Sequence, residues 1–400
     1  MAREMKDSGV AWVGKIPISW SCQKLKYFAK INSGEMISKE EYVCDGKFPI
    51  IGSNGEIGRT DKYNNFESVI TTGRVGTVGS THIAEESWIT DNALIIRNRN
   101  IFQKFLAYII PNFDFKYMLS GTAQPLITAT KLKDQFIPVP SSEVQIEIVS
   151  LLDKKCGEID AVLDKTRTSI EEYKKLKQAI ITQAVTKGVR GDRPMKESGS
   201  IWFGLIPADW KMRRTKKLVT IEKRIIGVEG VAVLSITQKG IRPKDLSKNE
   251  GQFAESYANY QIVHCGDFAM NHMDLLTGWV DISQFEGVTS PDYRVFTMSG
   301  NSVNKQYYLY LFQMCYSNRV YYGLGQGVSG LGRWRLPAKQ FLDFLITVPP
   351  IEEQNEIVDY LDNQCAEINA LIQKKEQFLA ELETYKKSLI YEYVTGKKEV

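Results

Sequence analysis

The chain has 400 residues, with 51 Lys and Arg against 47 Asp and Glu, a net charge of +4, 43% hydrophobic residues and 24% charged ones. That is an ordinary globular mix, long enough for two to four domains. No run of 18 apolar residues occurs and MAREMKDSGVAWVGK has no apolar core, so no membrane span or secretory leader is expected and the cytoplasm is the expected compartment.

Six cysteines (22, 44, 156, 265, 315 and 365) stand without a CxxC pair, which points to reduced thiols and against a disulfide framework or zinc site.

The first element is a phrase. SGVAWVGKIPISW (8–20) returns as SGSIWFGLIPADW (198–210), and Met5-Lys6 returns as Met195-Lys196, 190 residues on. Residues 1–20 and 191–210 are therefore read as two copies of one segment. Between the first copy and Pro140 lies a variable segment, 21–140. FPIIGSN, SVITTG, VGTVGSTHI and SWITDNALIIRN read as short strands broken by Gly, Asn and Asp. FQKFLAYIIPNF reads as a short helix.

A second repeated block follows. VPSSEVQIEIVSLLDKKCGEIDAVLDK (139–165) aligns with VPPIEEQNEIVDYLDNQCAEINALIQK (348–374) at an offset of 209, so the intervening segment is 19 residues longer in the second half. Each copy opens a long helix, 141–190 and 350–400, after a proline that stops it extending backwards. Ser141 or Ser142 is the expected cap of the first. From Leu152 to Ala184, and from Leu361 to Tyr393, apolar residues recur at steps of 4 and 3. Eight of ten seam positions are apolar in each copy, with breaks at Thr166, Lys177, Lys375 and Lys386. A stripe so narrow and long predicts that the two helices pair antiparallel as a coiled coil, with Thr166 facing Lys386 and Lys177 facing Lys375. The alternative is two amphipathic helices, each lying on its own domain.

The second variable segment, 211–349, shows little similarity to the first. VAVLSIT, GDFAMN, TGWVDI and DYRVFTM read as strands, and NKQYYLYLFQMCYSNRVYYG as one aromatic-rich helix. It carries 17 basic against 11 acidic residues, while 21–140 carries 14 against 12 and 350–400 carries 6 against 11. A basic excess suits a polyanion, though a solvated face gives the same count. The fold class is α/β (α+β): two dissimilar domains, two long helices and an internal pseudo-twofold repeat.

No catalytic constellation emerges. P-loop, HExxH and GxSxG are absent, and so is the N/D-P-P-aromatic tetrapeptide of amino-methyltransferases. Gly325, Gly327 and Gly330 satisfy GxGxxG but lack a strand–turn–helix setting, so a loop is expected. His264 and His272 have the wrong spacing for a metal pair. What remains is polar, aromatic and basic loop chemistry: Asn54, Thr72, Arg74, His82, Gln124 and Thr128 in the first segment; Asn271, His272, Asp274, Ser290, Asp292, Tyr293, Arg333, Trp334 and Arg335 in the second. Arg suits a bidentate grip on guanine, Asn and Gln one on adenine, and Lys and Arg also hold phosphates. Taken singly, each is equally at home in a solvated turn.

The duplicated W-x-G-x-I-P-x-x-W, the duplicated V-P-x-x-x-x-Q-x-E-I-V-x-x-L-D with its long helix, and the two unlike intervening segments together resemble the specificity subunit of a Type I restriction–modification system. TDNALII, AQPLITATKLKDQFIPVP, GDFAMNHM, EGVTSPDYRVF and GRWRLPAKQFLDFLITVPP agree with target-recognition domains of that family. SSEVQIEIV departs from the family's usual form, which the second copy follows more closely.

The resemblance implies a non-catalytic DNA-binding subunit that reads a split, asymmetric target, one half-site per recognition domain. It implies two methyltransferase subunits using S-adenosylmethionine and two motor-nuclease subunits using ATP and Mg, with no cofactor in this chain. Two unlike domains cannot read a palindrome. A paired-helix spacer would set half-sites about one helical turn, roughly 34–36 Å, apart. Two alternatives remain: a stand-alone DNA methyltransferase or nuclease, and a tandem adaptor for protein or glycan.

Overall fold

The computed structural model describes residues 3–119, 126–245, 256–300, 302–327 and 334–400. The chain divides into two compact units, one built from 1–167 and 376–400, the other from 168–375.

The first unit begins with a hairpin, Met5–Asp7 against Lys15–Pro17, that periodicity did not reveal because its strands are three residues long. Next, Ser21–Lys24 pairs antiparallel with Phe136–Val139. This ladder ties the start of the variable segment to its end. The segment itself is an antiparallel four-stranded sheet in the order Ala29–Ser33, Ala93–Asn98, Val69–Gly73, Thr81–Ala84. Beside it stands a three-stranded sheet, Gly55–Thr60, Phe48–Gly52 and Trp88–Ile89, whose last pairing is parallel. The Val, Ile and Thr content of these runs suits a pleated, buried surface. Ile31, Ile70, Leu94 and Ile96 pack with Phe105, Leu106 and Ile109 of the helix Gln103–Ile109.

The second unit repeats this frame. Met195–Glu197 pairs with Leu205–Pro207, and Lys211–Arg214 with Leu345–Val348. Its four-stranded sheet runs Val219–Glu222, Arg294–Met298, Phe268–Met270, Val280–Ile282. Two ladders are added, Leu234–Thr237 with Gly240–Pro243 and Gln261–Val263 with Gly287–Thr289. The aromatic run expected as one helix is two, Lys305–Ser317 and Val320–Gly323, broken at Arg319 with φ +56°. Left-handed backbone at a non-glycine residue ends a helix. Tyr307, Phe312, Tyr316 and Tyr321 pack there against Phe268, Phe296 and Phe341.

The long helices are Ser142–Lys187, 46 residues, and Ile351–Val394, 44 residues. Gln145 N–H donates to the Ser141 carbonyl at 3.0 Å, which makes Ser141 the cap. In the first unit Lys386 Nζ meets Asp160 at 2.6 Å and Arg167 Nη2 meets Glu383 at 2.8 Å. Rising numbers on one helix meet falling numbers on the other, so the pair is antiparallel. The second unit holds the rest of both helices: Lys177 donates to Asn369 at 2.9 Å, Lys375 lies over the Tyr173 ring at 5.6 Å, and Arg190 grips Glu356 at 2.7 Å. The register therefore differs from the expected one. Thr166 does not face Lys386, nor Lys177 Lys375. Each lysine takes a carboxylate, an amide or a ring face further along the seam, and the Thr166 hydroxyl donates to Val162 O of its own helix.

The helix ends explain the repeated phrase. Gly188 and Gly396 close the two helices at φ +77° and +70°. A Cβ on Gly396 would strike Pro17 and the Trp20 ring; one on Gly188 would strike Arg193, Glu353 and the Trp210 ring. The tryptophans of the phrase seal each helix end onto its hairpin.

Candidate nucleic-acid interface

In the first unit the hairpin turn Ser53-Asn54 docks on the connection between the third and fourth strands of the four-stranded sheet, residues 74–80. The contact is made at Gly73, where a Cβ would collide with the Ser53 and Thr77 carbonyls. Ser80 Oγ donates to Asn54 Oδ1 at 2.8 Å and lies 2.9 Å from His82 Nε2. Asn54 and His82 are exposed. Arg74 is half-buried; its Nη1 reaches Ser33 Oγ at 3.3 Å and the Asp91 carbonyl at 3.4 Å. Thr72 is 1% exposed and accepts from the Thr81 hydroxyl, so it presents nothing at the surface. Thr128 caps the helix Ala129–Lys133 by accepting from Lys131 N. Gln124 lies outside the described residues.

The second unit uses the same connection after the third strand. Asn271, Asp274, Ser290, Asp292 and Tyr293 line one cavity of about 310 Å³, together with Ser235, Lys244 and Tyr260. Asp274 is held by three local donors, the Thr277 hydroxyl and the Leu276 and Thr277 amides. Burial works to raise its pKa, but these bonds hold it below the usual carboxylate range. Burial pushes the Tyr293 phenol up, with Asp274 and Asp292 adding to it. Ser290 Oγ accepts from the Asp292 amide.

His272 is half-buried, and its Nδ1 has no partner among the described residues. Burial, with the Arg294 charge beside it, pulls its pKa down to about 3, so it is neutral at pH 7. Trp334 is packed, its ring on Tyr322 and Gly325 and its Nε1–H donating to the Tyr322 carbonyl at 2.8 Å. Arg335 is exposed, beside Gln326, with which it exchanges two main-chain bonds. Arg333 lies outside the described residues, as does Gly330 of the GxGxxG run.

Sequence reasoning missed three organising residues. Gln261 is buried and donates to the carbonyls of Ser290, Pro291 and Tyr293, which shapes the loop carrying the candidates. Arg294 is 5% exposed, donates to the Leu336 carbonyl and lies over the Phe341 ring at 5.0 Å. Ser80 joins Asn54 to His82. Each is a common polar residue with a partner far along the chain, a relation that no local strand or helix pattern records. Among the described residues no group of three His, Cys, Asp or Glu side chains is placed to hold a metal.

The chain matches the family described as "Type I restriction modification DNA specificity domain" over residues 17–172 and 207–381. The MjaVIII specificity subunit of a Type I restriction enzyme from Methanocaldococcus jannaschii is 23% identical over 427 aligned positions, which cover 96% of this chain and 94% of that one. A putative type I specificity subunit of Mycoplasma pneumoniae is 27% identical over 39% of this chain and 44% of its own. A chain from a structure of complex assembly and conformational transition in the type I R-M system covers 96% of this chain and 100% of its own at 14% identity, with a TM-score of 0.67. At that identity the likeness speaks for the fold. Both matched stretches begin within the repeated phrase and run into a long helix, as the two units do. The chain therefore belongs to the Type I restriction modification DNA specificity domain family, as a specificity subunit and not an enzyme.

Proposed function

We propose that this subunit reads a split, asymmetric duplex-DNA target, one half-site per unit, through the loops at the end of each four-stranded sheet. In this reading it assembles with two methyltransferase subunits and two restriction/translocase subunits. S-adenosylmethionine, ATP and Mg belong to those partners and none to this chain. Its compartment is the cytoplasm, where the DNA is. Among the described residues no helix is long and apolar enough to cross a membrane.

One observation carries the reading. The frame occurs twice with the same hairpin, closing ladder and sheet order, while the loops it presents at the same place differ completely. A duplicated frame suits one kind of partner bound twice. Different loops suit two unlike half-sites. The basic excess of 211–349 supplies phosphate contacts, and the exposed polar side chains supply base contacts.

The test is an exchange of residues 21–138 for those of another family member, followed by mapping of methylated sites. One half-site should change and the other stay. A change in both would sink the assignment. Binding of the assembled complex to duplex DNA should also fall steeply with salt; a flat response would favour a protein or glycan partner.

A further inference from the structure

Asn54, Ser80 and His82 come from three separate segments: a hairpin turn, an inter-strand connection and the strand Thr81–Ala84. Their hydrogen bonds, 2.8 and 2.9 Å, form a row across an exposed edge. The row seals no core: Asn54 and His82 are both exposed, and neither Asn54 Nδ2 nor His82 Nδ1 has a partner among the described residues. The backbone around it is shaped to allow it. Gly55, at φ +99°, lets the turn lie on the His82 ring, and Gly73 leaves room for the Ser53 carbonyl. An exposed row of this kind costs rotamer freedom in all three residues, a cost that stabilisation at a loop tip does not readily offset.

The polarity of the row limits what it can read. Ser80 has one hydroxyl proton. If it goes to Asn54 Oδ1, then His82 Nε2–H donates to Ser80. The groups left over are the Asn54 N–H donors and the His82 Nδ1 acceptor. Turning the Asn54 amide over reverses the row, and the leftovers become the Asn54 Oδ1 acceptor and the His82 Nδ1–H donor. With a neutral imidazole, either case leaves N–H donors and one acceptor side by side, and phosphate, which only accepts, leaves that acceptor unmatched. In the major groove guanine offers two acceptors, thymine one acceptor and cytosine one donor; adenine alone offers an acceptor, N7, beside a donor, N6–H.

We propose that Asn54 and His82 read the major-groove edge of one adenine in the half-site of the first unit, and that Ser80 is the positioning residue that fixes their donor and acceptor order. This rests on the DNA-reading function proposed above.

The experiment uses the full chain assembled with its modification subunits and a pool of randomised duplexes, with methylated products sequenced. Wild type should require adenine at one position of the first half-site other than the base that receives the methyl group. Ser80→Ala should relax that position, losing roughly ten- to a hundred-fold of its discrimination, while Ser80→Thr, which keeps the hydroxyl, retains it. Asn54→Asp removes the N–H donors and should shift the preference away from adenine. Asp is well tolerated in a turn, so this variant stays folded and readable even where Ser80→Ala melts early. An unchanged first half-site in both Ser80→Ala and Asn54→Asp overturns the proposal, and so does relaxation confined to the second half-site. A wild-type complex that methylates without any sequence preference overturns the DNA-reading function itself, and this proposal with it.

Discussion

Arg74 and His272 hold the same place in their two units. Each follows the third strand of a four-stranded antiparallel sheet. The Arg74 carbonyl accepts from Ile127 N at 3.0 Å, and the His272 carbonyl from Leu336 N at 2.9 Å. In both units the donor segment leads into a short helix and then into the strand that closes the domain. The backbone of this edge is thus pinned in the same way, while the side chain it carries is a cation in one unit and a neutral imidazole in the other.

The neutral imidazole gives a pH prediction. His272 titrates near 3 in the folded protein, against about 6.5 for the unfolded chain. Between those values the unfolded chain takes a proton that the folded one refuses. The His272 contribution to stability is therefore complete above about pH 6.5 and is lost as pH drops through that window, by up to about 1.4 kcal/mol per pH unit. His272→Gln should flatten the slope of the urea midpoint between pH 6 and 4. Parallel curves for mutant and wild type would refute the assignment.

Each unit is fastened at a buried glutamine. Gln354 donates to the Pro349 and Ser302 carbonyls and accepts from Asn304 N; Gln145 donates to Pro140 O and accepts from Phe102 N. These bonds join the start of each long helix to the start of the domain's own helix. Gln354→Ala leaves one buried and two part-buried backbone groups without their partner and should cost about 3 kcal/mol. Gln354→Glu should also destabilise, because it loses both donors. A loss below about 1 kcal/mol in denaturant titration would show that water replaces the side chain.

The second unit carries an ion pair on a buried carboxylate that has no counterpart at the matching positions of the first unit, among the described residues. Glu353 is fully buried and accepts from Arg193 and from Trp210 Nε1. At the matching position of the first copy stands Val144, and Arg3 simply lies over Trp20. Arg193→Ala should cost about 3–5 kcal/mol by stranding the carboxylate, whereas Arg193→Met with Glu353→Leu together should cost less. Additive losses in a double-mutant cycle would contradict this.

Trp12 belongs to the frame. Its ring meets Phe113 edge-on at 5.3 Å, and its carbonyl accepts from the Tyr391 hydroxyl at 3.0 Å. Trp12→Ala should lower stability by about 2–3 kcal/mol and leave the methylated sequence as it was. A relaxed half-site in this variant would move the phrase from frame to reader.

The sequence by itself determined the duplication, the two long helices and their seam, and the position of the central sheet strands such as Val69–Gly73, Ala93–Asn98, Phe268–Met270 and Arg294–Met298. These signals are local or periodic: a repeated phrase, a heptad stripe, β-branched runs. Leu152, Cys156, Ile159 and Leu163 are buried as the stripe requires. Only the tertiary structure decided the helix register, because lysine reach and carboxylate position, not apolar spacing, select among nearby offsets. It alone also sorted the candidate residues. Thr72, Thr128 and Trp334 look like Asn54 and His82 in composition, yet they face inward or cap a helix. Ser80 and Gln261 were illegible because their importance lies in partners up to 32 residues away in the chain, joined by turns that no periodicity records.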